Sequence, residues 1–144
     1  MRGITICFFV ATIFILSCRE EKPNPYSQIN IYNCHNSINW DSLKINNFLI
    51  GQWDWKYRIC ELGESSSQYA DLSINFKDNG TLLYTTNETI DTLKWHLKPD
   101  QSYFELELDT FKSPLIGLIL ICDNILYLNA GPWDGCANIF ERNE

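Results

Sequence analysis

From Gly51 onward, hydrophobic and polar residues alternate one by one, and the alternation restarts after each short turn. In residues 51–60 (GQWDWKYRIC), Trp53, Trp55, Tyr57 and Ile59 fall on one face and Gln52, Asp54, Lys56 and Arg58 on the other, the period of a half-buried strand. Leu72, Ile74 and Phe76 repeat the pattern. Asp78-Asn79-Gly80 then supplies a hairpin turn, because Asn-Gly accepts the positive φ of a tight turn, and TLLYTTN (81–87) returns. Leu93, Trp95 and Leu97 alternate next, and Pro99-Asp100 turns the chain. Phe104, Leu106 and Leu108 then alternate with Glu105, Glu107 and Asp109. LIGLILIC (115–122) is a continuous apolar run, Asp123-Asn124 a turn and ILYLN a short strand, and the loop AGPWDG (130–135) leads into CANIFER. The pattern predicts eight strands with short connections and no helix after residue 50. A meander of this kind buries one face and closes most readily on itself, so the expected fold is all-β, an eight-stranded antiparallel up-and-down barrel. Residues 37–50 leave room for one helical turn at the barrel mouth.

The amino-terminal end follows different rules. After Arg2, the 13-residue apolar run Ile4–Leu16 is too short for the roughly 18–20 residues of a membrane span, and charge begins abruptly with Arg19-Glu20-Glu21-Lys22. This is the layout of a cleaved export signal. At the break, Ile15, Leu16, Ser17 and Cys18 resemble the lipobox of bacterial lipoproteins. That resemblance implies cleavage before Cys18, a diacylglycerol on its thiol and a further acyl chain on its new amino group. Several acyl chains anchor far more firmly than one. The expected organisation is a signal peptide over 1–17, a lipidated amino terminus and tether over 18–36, and one barrel domain over 37–144. Residues 19–33 read as tether because they carry Pro23 and Pro25 among polar residues with no sustained period. Glu20 and Glu21 resemble the surface-export signals that follow the lipidated Cys in some lipoproteins. The location implied is the cell envelope, as an outer-membrane lipoprotein held by its acyl chains, with Glu20-Glu21 reading either as a surface-export signal or as plain soluble linker.

Composition narrows the partners. The chain carries a net charge of −7, and loss of residues 1–17 removes Arg2 and no acid, leaving −8. An acidic domain repels phosphate backbones, which argues against nucleic acid. Of six cysteines, Cys7 lies in the signal and Cys18 in the lipobox, so Cys34, Cys60, Cys122 and Cys136 remain. An even number in an oxidising compartment points to two disulfides, with three pairings open. No C-x-x-C or neighbouring His spacing points to zinc, and no cofactor is expected.

Candidate chemistry is sparse. His35 lies before the barrel and His96 on the solvent side of its alternation, and no Ser or Cys occupies a recognisable nucleophile motif, so no enzyme is expected. Glu105, Glu107 and Asp109 share a face that reads as solvated. Trp55, Tyr57, Phe76, Tyr84, Trp95 and Phe104 project inward in a closed barrel. An eight-stranded barrel either fills with side chains or holds one small ligand. These six are therefore either the lining of a site for a small apolar ligand or a filled core. The Pro132-Trp133-Asp134 tip reads as a contact loop or as a cap. Two functions follow: an anchored binding protein for a small apolar ligand, or a cell-surface protein-interaction module with a filled barrel.

Gly51-x-Trp53 at the start of the first strand, followed by the DNG turn and the terminal DGCANIFER, resembles lipocalins and small lipocalin-like lipoproteins. The resemblance implies that Trp53 packs across the closed end and that Arg142 of the last strand covers its ring. Strand parity makes its own predictions. In an up-and-down barrel Cys60 and Cys136 meet at one end and Cys34 and Cys122 at the other, giving Cys60–Cys136 and Cys34–Cys122. Period two sets Cys60 on the face opposite Trp53 while Cys136 shares a face with Phe140, so the first pair needs a bulge or a strand end.

Overall fold

The computed structural model describes residues 26–60, 69, 71–131 and 135–143. The signal peptide expected over residues 1–17, the lipidation site Cys18, Glu20-Glu21 and the Pro132-Trp133-Asp134 tip lie outside the described residues. Two helices, α1 (Gln28–Asn36) and α2 (Ser42–Leu49), precede eight strands: β1 (Gly51–Cys60), β2 (Ser73–Phe76), β3 (Thr81–Thr85), β4 (Ile90–Asp100), β5 (Tyr103–Leu108), β6 (Leu118–Cys122), β7 (Ile125–Asn129) and β8 (Cys136–Arg142). Each strand pairs antiparallel with the next, and β8 returns to β1, so the sheet is a closed up-and-down barrel of lipocalin-like order. Closure removes every sheet edge.

The inward positions of the alternation meet inside. Trp53, Ile74, Phe76, Leu82, Ile119, Leu126 and Phe140 are fully excluded from solvent in one cluster with Trp55, Tyr84, Leu93, Trp95 and Leu106. Gly80 adopts φ +74° in the β2–β3 hairpin, where Asn-Gly was expected to turn. Pro99 and Asp100 remain in the β4–β5 ladder opposite Phe104 and Tyr103, so that turn falls two residues later, at Gln101-Ser102, with Gln101 at φ +50°.

Two departures from strict period two have physical causes. The first is a bulge in β1: Trp55 lies opposite Phe140, but Tyr57 lies opposite Ile139, so one extra residue enters β1 between them. Beyond it every side chain changes face. Tyr57, expected inside, is therefore corrected to the outer surface, 37% exposed and stacked on Tyr26 at 6.1 Å. The same flip brings Cys60 to the face of its direct partner Cys136, and the two are bonded.

The second departure is the run in β6 and β7, buried on both faces because α1 lies across the outside of the barrel. Ile31 of α1 is fully buried against Leu120, Ile125, Tyr127, Ala137 and Ile139, a second core outside the sheet. Cys34–Cys122 and a hydrogen bond of 2.6 Å from Asn129 Nδ2 to Tyr32 Oη pin the helix down. The tether expected over 18–36 is corrected accordingly: residues 28–36 are a docked helix. Between α1 and the barrel, the single turn expected in 37–50 is the eight-residue α2, capped by Asp41 accepting the Lys44 N–H at 2.8 Å.

Candidate functional site

The barrel interior is where sequence places a ligand, and its contents decide what it can hold. The lower end is closed by α2. Ile45 and Leu49 enter the main cluster, and the C-terminal carbonyls of α2, which lack helical partners, are taken by two side chains. Trp53 Nε1 donates to Leu49 O at 2.8 Å, while Arg142 donates to Ile50 O at 2.9 Å and to Phe48 O. The guanidinium lies 4.4 Å from the Trp53 ring centroid and 4.9 Å from that of Phe48. Gly51 permits this closure. Its φ is +122°, and a Cβ there would stand 3.0 Å from Arg142 Nη1.

Toward the upper end, Trp55 Nε1 donates to Asn138 Oδ1 at 3.3 Å, and Trp55 meets Tyr69 edge-on at 5.7 Å. Leu115, in the β5–β6 connection, is fully buried in the same cluster. That connection is held by Tyr69 Oη and Ser113 Oγ, 3.0 Å apart, and by Tyr84 Oη donating to Ser113 O at 3.3 Å. Burial, with smaller effects from Tyr69 and Asp91, pushes the Tyr84 phenol above its ordinary pKa, so it is a donor across the physiological range. Lys112 reaches Asp91 at 2.5 Å and covers the Tyr84 ring at 4.6 Å.

Between these ends the candidate lining residues pack on one another. Phe76 and Trp95 meet at 4.9 Å in a T-shaped pair, and Phe104 packs against the cluster from its edge. Of the six candidates, Trp55, Phe76, Tyr84 and Trp95 share the buried cluster, Phe104 borders it, and Tyr57 is outside. A cleft beside Cys60–Cys136, bounded by Gln28, Ile59 and Tyr127, encloses about 110 Å³. That is below the roughly 300–1,000 Å³ of small-molecule sites.

The remaining polar candidates are accounted for individually. His96 Nε2 lies 2.9 Å from Glu107 and Lys98 Nζ 3.4 Å from Glu105, both on the outer face as the alternation indicated. His35, unremarkable in sequence, is buried between the rings of Trp40 at 5.6 Å and Tyr103 at 5.9 Å. Its Nδ1 accepts the Ile121 N–H at 2.9 Å, and burial lowers its pKa. Cys34, Cys122 and Asp123 are close enough to suggest a metal site, but the two sulfurs are bonded to each other and offer no thiolate. Only the bare adjacency of His35 to Cys34 in sequence hinted at this junction.

No protein-family model, curated protein or solved structure matches the chain.

Proposed function

We propose that this chain is a lipid-anchored, lipocalin-like protein of the bacterial cell envelope whose filled barrel is a scaffold and whose outer surface engages another macromolecule. The observation that carries the reading is the packing of Trp53, Trp55, Phe76, Tyr84 and Trp95 into one cluster with Leu49 at one end and Leu115 toward the other. A calyx for an apolar ligand needs those same side chains drawn back against the wall, which would expose their faces. The anchor rests on the apolar run before Cys18, and export is supported by two disulfides, which persist in oxidising compartments. The Gly51-x-Trp53 pair and Arg142 over the indole support the lipocalin-like assignment. The reading is of a non-enzyme: His35 is occupied by a backbone N–H and His96 by Glu107.

Two measurements test it. Cys18→Ser should abolish incorporation of labelled lipid and leave uncleaved precursor; normal lipidation of that variant would contradict the anchor. Titrating the domain with a fluorescent fatty-acid analogue should leave the probe's emission unchanged. Saturable enhancement at one site per chain, with quenching of Trp55 and Trp95, would contradict the filled barrel.

A further inference from the structure

The tether before α1 is short, and the place where α1 begins decides which end of the barrel meets a bilayer holding Cys18. From Cys18 to Tyr26, the first described residue, eight residue steps reach at most about 29 Å. Gln28, which opens α1, lines the cleft beside Cys60–Cys136 at the upper end, while Cys34 of the same helix is bonded to Cys122 at the lower end. Tyr26 stacks on Tyr57 in the upper half of β1, with its hydroxyl reaching Glu141 at 2.5 Å. The chain therefore joins the barrel wall from above. A strand of ten residues tilted by about 40° rises about 25 Å, and α2 adds a layer of about 10 Å beneath it. Setting α2 on the bilayer would draw the tether down the wall at close to its full reach, whereas the upper rim needs no such extension.

That rim carries the two most exposed large apolar side chains among the described residues, Phe111 at 74% and Ile90 at 70%. They directly precede Lys112 and Asp91, whose ion pair ties the β5–β6 connection to the start of β4 and cancels its own charge. The connection is held from below as well, by Leu115 in the core and by Tyr84 Oη donating to Ser113 O. Phe111 thus stands out from an anchored loop. Asp71, Glu88 and Asp109 are exposed at the same end, so attraction to anionic headgroups cannot seat it. Shallow insertion of two apolar side chains into a neutral lipid interface, with the carboxylates left in water, is the contact this rim can make. We propose that the upper rim rests on the bilayer that holds Cys18, seated by Ile90 and Phe111, so that α2 and the lower end of the barrel face outward. The inference rests on the lipid anchor read above and gives the anchored barrel its orientation.

The test uses the acylated chain, its lipid verified by mass, in phosphatidylcholine vesicles. Thr110→Cys beside Phe111 and Asn47→Cys on α2, both at exposed positions, each carry a polarity-sensitive dye. The dye at 110 should shift to the blue and be quenched by nitroxide lipid at least threefold more strongly than the dye at 47. Adding Ile90→Asp and Phe111→Asp should remove most of that difference without changing the melting temperature, since both side chains are exposed. A dye at 110 that stays in water would overturn the proposal, as would equal quenching at both ends or quenching that survives the two aspartates. Quenching that grows as phosphatidylglycerol is added would overturn it too, by marking a charge-driven contact. So would a shift seen in native membranes and not in vesicles, which would mark a protein cover. A chain without acyl groups contradicts the anchor and the seating together, whereas an acylated chain whose rim stays in water contradicts the seating alone.

Discussion

The guanidinium of Arg142 lies 4.4 Å from the ring centroid of Trp53, and the two residues face each other across the β1–β8 seam that closes the barrel. Both also donate to the end of α2, Trp53 to Leu49 O and Arg142 to Ile50 O and Phe48 O. One contact thus joins the first strand, the last strand and the helix that plugs the lower end. The Arg142 cation and the Trp53 N–H stand where the helix dipole is negative, which favours them there.

Removing either partner should therefore cost more than a surface contact. Arg142→Lys keeps the charge but loses the planar stack and the forked donors, and should lower stability by about 1–2 kcal/mol. Trp53→Ala should cost about 3–5 kcal/mol by emptying a fully buried site. Stabilities of small domains run to about 5–15 kcal/mol, so the second loss is large. Urea unfolding of the three proteins measures both; a lysine variant as stable as the parent would show that the stack contributes nothing.

The strap formed by α1 makes a second prediction. Cys34–Cys122 closes a sequence separation of 88 residues, and its loss in Cys34→Ser/Cys122→Ser should lower stability by about 2–5 kcal/mol. The loss should be local first. Hydrogen exchange should rise in residues 28–36 and at the Ile121 amide, which His35 holds, while β2 and β3 stay protected. A uniform rise across all strands would mean that α1 is integral to the barrel rather than a strap upon it.

His35 makes the strap pH-dependent, and the sign follows from its burial. Its pKa in the folded chain is below the ordinary 6.5, so the unfolded chain takes up the proton first as pH falls. Its stabilising effect is full above about pH 6.5 and is lost as pH falls from there through the folded-state value. Protonation of Nδ1 would also end its acceptance of the Ile121 N–H. Denaturation curves from pH 8 to 5 should show this loss in the parent and a flatter profile in His35→Gln, whose amide oxygen still accepts. Parallel profiles would assign the pH dependence to other groups.

Much of this architecture is legible from residue order. Alternation in Leu72–Phe76, Leu93–Leu97 and Phe104–Leu108 located the strands, Asp78-Asn79-Gly80 located a hairpin, and parity around a closed meander paired all four cysteines. Two things were hidden. A bulge changes no residue's character, so Tyr57 reads as an inward position, and only the need to bring Cys60 to the face of Cys136 pointed to the flip. Helix α1 was hidden for a different reason. Only Ile31 and His35 of its nine residues are buried, too few to leave an apolar stripe, and the two prolines before it resemble a linker. Its trace lies in its target: LIGLILIC lacks alternation because both faces of β6 are covered, a signal that reports a cover without naming it.

The filled barrel is the central claim, and native mass spectrometry of the folded protein, purified gently from its native cells, tests it most directly. The expected mass is that of the covalent chain with two disulfides and no retained non-covalent apolar adduct. A stoichiometric hydrophobic molecule that stays bound through purification and is released only on unfolding would contradict it.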